Sequence, residues 1–126
     1  MILFDTDVLI WVERGNSRAA SLIDNTETRN ISVQTYMEFL QGARSKSAVQ
    51  RVKDFLADFD FRIIPLTENI GHRASIYIEE YAAICGIQVG DAVIAATAVE
   101  NHLTLITGNQ KHFSPIQDLK LKLFTA

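Results

Sequence analysis

Three carboxylates in this chain border its most apolar stretches. Asp5 follows directly on Ile2-Leu3-Phe4 in "MILFDTDVLIW", Glu38 lies within "ISVQTYMEFLQGA", and Asp91 opens "DAVIAATAVE". Acids so placed are expected at the rim of the core, not out in solvent. Brought together, three like charges repel one another strongly in a low dielectric. A divalent cation with oxygen ligands is the usual way to neutralise them, and Mg2+ accepts a few carboxylates together with water and phosphate oxygens. A pair of such ions about 4 Å apart can activate water and stabilise the leaving oxygen in phosphodiester hydrolysis.

Each acid also has a local explanation that must be weighed beside the chemical one. Asp91 after Gly90 has the makings of a helix N-cap. Thr35-x-x-Glu38 matches the spacing of a capping box, which would make Glu38 a structural acid. Asp5 is the hardest to explain away, because Thr6 or Asp7 could perform any capping duty after the first strand. Asp7 itself suits the positive end of the first helix, with a supporting role in the site as its alternative. His72 and His102 lie beside helix ends and need no catalytic role. Trp11, on an apolar helix, reads as a core or interface residue.

These residues need elements to position them, and the hydrophobic pattern supplies candidates. Ile2–Asp5 reads as a buried strand, with Thr6 capping a helix from Asp7 to about Glu13 that Gly15 stops. A short helix follows from Ser17 to Ile23, then a strand over Ile31–Val33. Thr35 opens the next helix, placing Glu38 in its first turn, and Gly42 ends it. Val49, Val52, Phe55, Leu56 and Phe59 form a helical stripe across Ser47–Phe59. Phe61–Ile64 is a strand halted by Pro65, and Thr67 caps a helix through Ile70, Ala74, Ile78 and Tyr81. Asp91–Glu100 is apolar almost all round, the mark of a buried helix. Leu103–Ile106 and Leu121–Phe124 complete the strands.

Strands alternating with helices indicate an α/β protein: a three-layer sandwich with a central, mostly parallel sheet of four to five strands and helices on both faces. Ligands of such sheets sit beyond the carboxyl ends of the strands. Asp5 lies at that edge, and so does Thr107-Gly108-Asn109 after the fourth strand.

The totals agree with one domain over residues 1–126. A chain of 126 residues, 48% hydrophobic and 21% charged, is ordinary for a globular protein and unlike a disordered one. One cysteine, Cys85, leaves no internal disulfide, fits a reducing cytoplasm and reads as a small core residue. No segment has the length of a membrane span, and Ile2–Phe4 is too short for a signal peptide. The net charge of −3 argues against nucleic-acid binding by bulk electrostatics alone. It leaves room for an enzyme that grips nucleic acid through metal ions and a local group of arginines.

The stretches "ILFDTDVLIW", "ISVQTYMEFLQGA" and "GDAVIAATAVENHLTLITGNQKHFSPI" together resemble, in order and across essentially the whole chain, the PIN-domain ribonucleases, and among them the VapC-type toxins of toxin–antitoxin pairs. The resemblance implies a PIN-like fold and metal-dependent hydrolysis of RNA. It makes Asp5, Glu38 and Asp91 the acidic site for Mg2+ or Mn2+, with Asp5 and Asp91 holding the ion and Glu38 completing the shell or orienting water. A fourth acid of the family falls here on Asn109, which brings no charge. Asn109 and Thr107 would position water or phosphate. His112, in the same loop, is also not an acid. Thr6 would cap its helix or support Asp5.

Arg14, Arg44, Lys46 and Lys111 flank the acids and are the candidate RNA contacts. The resemblance further implies a homodimer and a VapB-like antitoxin, with the stripe Val8, Leu9, Trp11, Val12, Leu22 and Ile23 either a surface to receive it or, in part, core. Three other readings compete. A receiver-type phosphoacceptor module would need Asp60, Thr107 and Lys111, and Asp60 precedes the third strand instead of following it. A phosphatase built on Asp5-x-Asp7 would want a hydroxyl where Leu9 stands. A PIN-like binding domain without catalysis is compatible with Asn109.

Overall fold

The computed structural model describes residues 1–126. The elements in chain order are β1 (Ile2–Phe4), α1 (Thr6–Glu13), α2 (Ser17–Asp24), β2 (Arg29–Ser32), α3 (Val33–Gln41), α4 (Lys46–Asp58), β3 (Arg62–Ile64), α5 (Glu68–Cys85), α6 (Val89–Glu100), β4 (Thr104–Thr107), α7 (Gln110–Phe113) and β5 (Leu121–Leu123). The five strands form one sheet in the order β3-β2-β1-β4-β5, and every pairing is parallel. The expected sheet of four to five strands is thus five, with no antiparallel edge.

Strands of three or four residues suffice because the sheet is buried on both faces. Successive side chains of a strand point to opposite faces. Leu3 and Leu105 accordingly join Ile70, Ile94 and Phe113 in a core beneath α5, α6 and α7. Phe4 and Ile106, one residue on, join Val8, Ile23, Ile31 and Leu56 beneath α1 to α4. Full burial of a side chain such as Leu105 contributes roughly 1.5–3 kcal/mol. The register sets Phe4 opposite Ile106, so the chain leaves β1 at Asp5 beside the point where it leaves β4 at Thr107.

Several boundaries differ from the sequence pattern, and the differences bear on the acids. β2 begins at Arg29, two residues before the apolar run, because its polar side chains find carbonyl partners: Asn30 donates to Ile2 O, and Arg29 to Ile23 O and Phe59 O. Ser32 caps α3 by accepting from Thr35 N, so Thr35 opens no capping box and Glu38 lies in the second turn. Asp5, not Thr6, is the N-cap of α1. Gln88, not Asp91, is the N-cap of α6, which places Asp91 at the third helical position. The short α7, capped by Asn109, falls where the sequence suggested a loop.

Cys85 is a buried free thiol, as expected of a core residue. Asp60 lies in the turn before β3, at the amino edge of the sheet and away from Asp5, which removes the receiver reading. No helix is long and apolar enough to cross a membrane.

Candidate active site

The carboxyl edge of the sheet gathers Asp5 from the end of β1, Glu38 from α3, Asp91 from α6, and the turn Thr107-Gly108-Asn109 after β4. Asp5 is only 6% exposed. Its Oδ1 accepts from Thr6 N and its Oδ2 from the Thr107 hydroxyl, each at 2.7 Å. Burial, followed by repulsion from Asp7, raises its pKa to about 7, and the Asp91 carboxylate adds to the effect. The hydrogen bonds from Thr107 and Thr6 oppose that rise without cancelling it.

Glu38 is held from three sides. The Thr6 hydroxyl donates to Oε1, and Gln34 Nε2 donates to Oε2 at 3.0 Å. The backbone of Gly90 closes the third side, so Glu38 lies one residue from Asp91. Asp91 accepts on Oδ2 from Gln88 N at 3.2 Å, and the same oxygen is 2.8 Å from His112 Nδ1. The three acids thus lie along one edge of the sheet, without closing into a group of three that could hold an ion between them.

Asp7 sits in the first turn of α1, as expected, and also reaches the site. Its Oδ2 accepts from Gly108 N at 2.8 Å, tying α1 to the turn after β4. Its Oδ1 is buried without a hydrogen-bond partner, and burial raises its pKa.

Thr107 plays a different part from the one the sequence suggested. Its hydroxyl donates to Asp5 and accepts from Asn109 N at 3.0 Å, so it supports the acid and is not available for water or phosphate. The Thr6 hydroxyl likewise supports Glu38 rather than Asp5, which Thr6 reaches through its main-chain N–H. Asn109 serves as the cap of α7, with Oδ1 accepting from His112 N and Nδ2 lying 3.0 Å from His112 Nδ1.

Sequence reasoning gave no role to Gln34 or Gly90, and noted His112 only as a residue of the loop that is not an acid. Gln34 was findable from its position four residues before Glu38, which puts the pair on one helix face. Gly90 stands out as a poor helix former in an otherwise apolar helix. His112 gave no signal, because only the fold brings α7 to α6.

The residues suit a hard divalent cation in kind: carboxylate oxygens, one acid almost wholly buried among others, and an orphaned buried oxygen on Asp7. They are not a finished cage, since no group of three or more His, Cys, Asp and Glu side chains stands ready to hold a metal. Glu38 is turned to Thr6 and Gln34, and Asp91 to Gln88 and His112.

Of the candidate RNA contacts, Arg14, Arg44, Lys46 and Lys111 are all exposed, and Arg14 lies over the Trp11 ring. The proposed docking stripe divides. Val8, Leu9 and Ile23 are buried in the core, and Trp11 is exposed. The apolar concavity lies instead between α1, α3 and α4, lined by Leu9, Val12, Phe39, Val52 and Phe55.

A five-stranded parallel sheet with acids collected at its carboxyl edge defines the class of protein to which comparison then gives a family. Residues 2–118 match the PIN domain, and the chain belongs to that family. It is 36% identical over 124 residues to Ribonuclease VapC10 of Mycobacterium tuberculosis, covering 95% of this chain and 91% of the relative. Among solved structures it is similar to a chain of a toxin–antitoxin complex from Klebsiella pneumoniae, with a TM-score of 0.81, 32% identity, and coverage of 99% of this chain and 97% of the other. It shares its fold with a chain of VapBC2 from Rickettsia felis bound to a promoter DNA fragment, at a TM-score of 0.80 and 24% identity, covering 99% and 100% of the two chains.

Proposed function

We propose that this chain is a divalent-cation-dependent endoribonuclease, the toxin of a toxin–antitoxin pair, acting in the cytoplasm as a single domain over residues 1–126. The observation that carries the reading is the buried Asp5 carboxylate, raised to about 7 by burial and by the neighbouring Asp7 and Asp91 charges. Such a group calls for a counter-charge. The 36% identity to a ribonuclease supports RNA as the substrate.

Asp5 and Asp91 would hold Mg2+ or Mn2+, which when bound supplies a water of lowered pKa and neutralises charge on the phosphate. Glu38, fixed by Thr6 and Gln34, orients the attacking water through its carboxylate. The water oxygen bonds to phosphorus as the bond to the leaving ribose oxygen breaks; the water gives up a proton to solvent, and the departing oxygen takes one from it. Thr107 keeps Asp5 aimed at the edge, and its hydroxyl bond favours the charged carboxylate against the rise that burial causes. Asn109 supports the turn that carries Thr107, and the exposed Arg14, Arg44, Lys46 and Lys111 meet the RNA backbone.

A VapB-like antitoxin fits the groove between α1, α3 and α4, where Leu9, Val12, Phe39, Val52 and Phe55 offer an apolar floor to an amphipathic helix. The active form is a homodimer, which light scattering of the purified chain tests.

The deciding experiment incubates the chain with RNA in Mg2+, in Mn2+ and in EDTA, beside Asp5→Asn. Cleavage that needs the metal and disappears in the variant is expected. Cleavage in EDTA, or undiminished cleavage by Asp5→Asn, would overturn the reading. Metal binding without cleavage of any RNA would favour a PIN-like binding domain instead.

A further inference from the structure

We propose that His112 is a positioning residue for Asp91, a role that rests on the metal site proposed above. His112 sits on α7, whose main chain is well anchored. Phe113 beside it is fully buried, and Asn109 caps the turn. The imidazole is turned inward, with the side chain 22% exposed, and Nδ1 meets Asp91 Oδ2 at 2.8 Å.

A capping role explains only part of what Asp91 does. The helix start needs only the bond from Gln88 N to Asp91, at 3.2 Å. The second hold comes from another element, 21 residues along the chain, and capping has no use for it. With its proton on Nδ1, His112 donates to the oxygen that Gln88 N already engages. Both donors then occupy Oδ2, and Oδ1 alone is presented to the edge where Asp5 and Glu38 lie. That is the task of an outer hydrogen bond on a ligating carboxylate: it selects one oxygen and one side-chain orientation. The Nδ1 atom cannot donate to Asp91 and accept from Asn109 Nδ2 at once, so the Asp91 contact also fixes which ring nitrogen carries the proton.

The test measures Mn2+ binding calorimetrically on the full chain and three variants, His112→Ala, His112→Asn and His112→Gln. An asparagine amide places an N–H near the Nδ1 position, whereas glutamine carries its amide past it. His112→Ala and His112→Gln are expected to bind Mn2+ about tenfold more weakly, and His112→Asn within about threefold of the parent. RNA cleavage by His112→Ala is expected to need more metal for half-maximal rate, with the rate at saturating metal largely restored. Undiminished Mn2+ binding by His112→Ala, or equal weakening by His112→Asn and His112→Ala, would overturn the proposal. Asp5→Asn separates the two levels. If it binds Mn2+ as well as the parent, the site reading falls and takes this inference with it. If it binds weakly while His112→Ala binds normally, only the role of His112 is lost.

Discussion

Glu38 lies so close to the backbone of Gly90 that a Cβ added there would come within 2.6 Å of Oε2. The missing side chain is therefore what seats one candidate catalytic acid beside another. Gln34 shares the space, with Nε2 2.9 Å from the same Cβ position. Gly90→Ala separates folding from function. Alanine favours a helix over glycine by about 1 kcal/mol, and both crowded atoms are ends of flexible side chains that can move aside. The variant is expected to melt at or above the parent temperature while losing roughly ten- to a hundredfold in RNA cleavage. Unchanged cleavage would show that Glu38 needs no such seat.

The raised pKa of Asp5 makes a prediction about stability without metal. An acid raised from 3.8 to about 7 by folding holds its proton in the native state after the unfolded chain has released it. Stability then falls as pH climbs between those values, and the full penalty remains above pH 7. Asp7, also raised by burial, acts in the same direction. In EDTA the parent should melt at lower temperature at pH 8 than at pH 5.5, and Asp5→Asn should flatten that difference. Mg2+ should stabilise the parent more at pH 8 than at pH 5.5. A variant with the parent's pH slope would mean that Asp5 is not the strained group.

Thr107→Val probes the support of that carboxylate. Valine keeps the branched shape required of a buried strand residue and deletes the hydroxyl that donates to Asp5 Oδ2 and accepts from Asn109 N. Loss of a donor to a buried acceptor costs about 1–3 kcal/mol. Because the hydroxyl bond lowers the Asp5 pKa, its loss should move the pH midpoint of the apo stability curve upward. Differential scanning fluorimetry across pH 5 to 9 reads both effects. A lower melting temperature with the parent's midpoint would leave Thr107 a packing residue only.

The sheet and its layers were legible in the sequence because they follow from hydrophobic period. Leu3 with Phe4 and Leu105 with Ile106 alternate faces as pleated strands must. The three acids were legible because each borders such a run. Their supports were not, because a hydroxyl or amide declares its partner only once the fold is complete. The Thr107–Asp5 bond spans 102 positions, and the His112–Asp91 contact joins two elements that no local pattern links. Capping was misread for a related reason. Residues Asp5, Thr6, Ser32, Thr35 and Asp91 all had plausible capping chemistry, and the choice fell to where each preceding element releases the chain.

At the amino edge of the sheet, opposite the acids, lies a second polar cluster. Arg73 on α5 pairs with Glu100 at the end of α6 and with Asp118 before β5, and the Tyr77 hydroxyl donates to Asp118 Oδ1 at 2.9 Å. Burial, with the Asp118 hydrogen bond adding to it, raises the Tyr77 phenol well above its usual 10. Tyr77→Phe removes one hydrogen bond and should cost about 1 kcal/mol with RNA cleavage unaffected, since no part of the cluster reaches the carboxyl edge. The phenol also gives an alkaline signature. Above pH 10 the unfolded tyrosine ionises while the folded one keeps its proton, so the parent loses stability as pH rises through that range. Urea unfolding at pH 9 and pH 11 should therefore show the variant closing its deficit against the parent as pH rises. A deficit that stays constant would mean the phenol titrates alike in both states, and reduced cleavage would mean the two edges of the sheet are coupled.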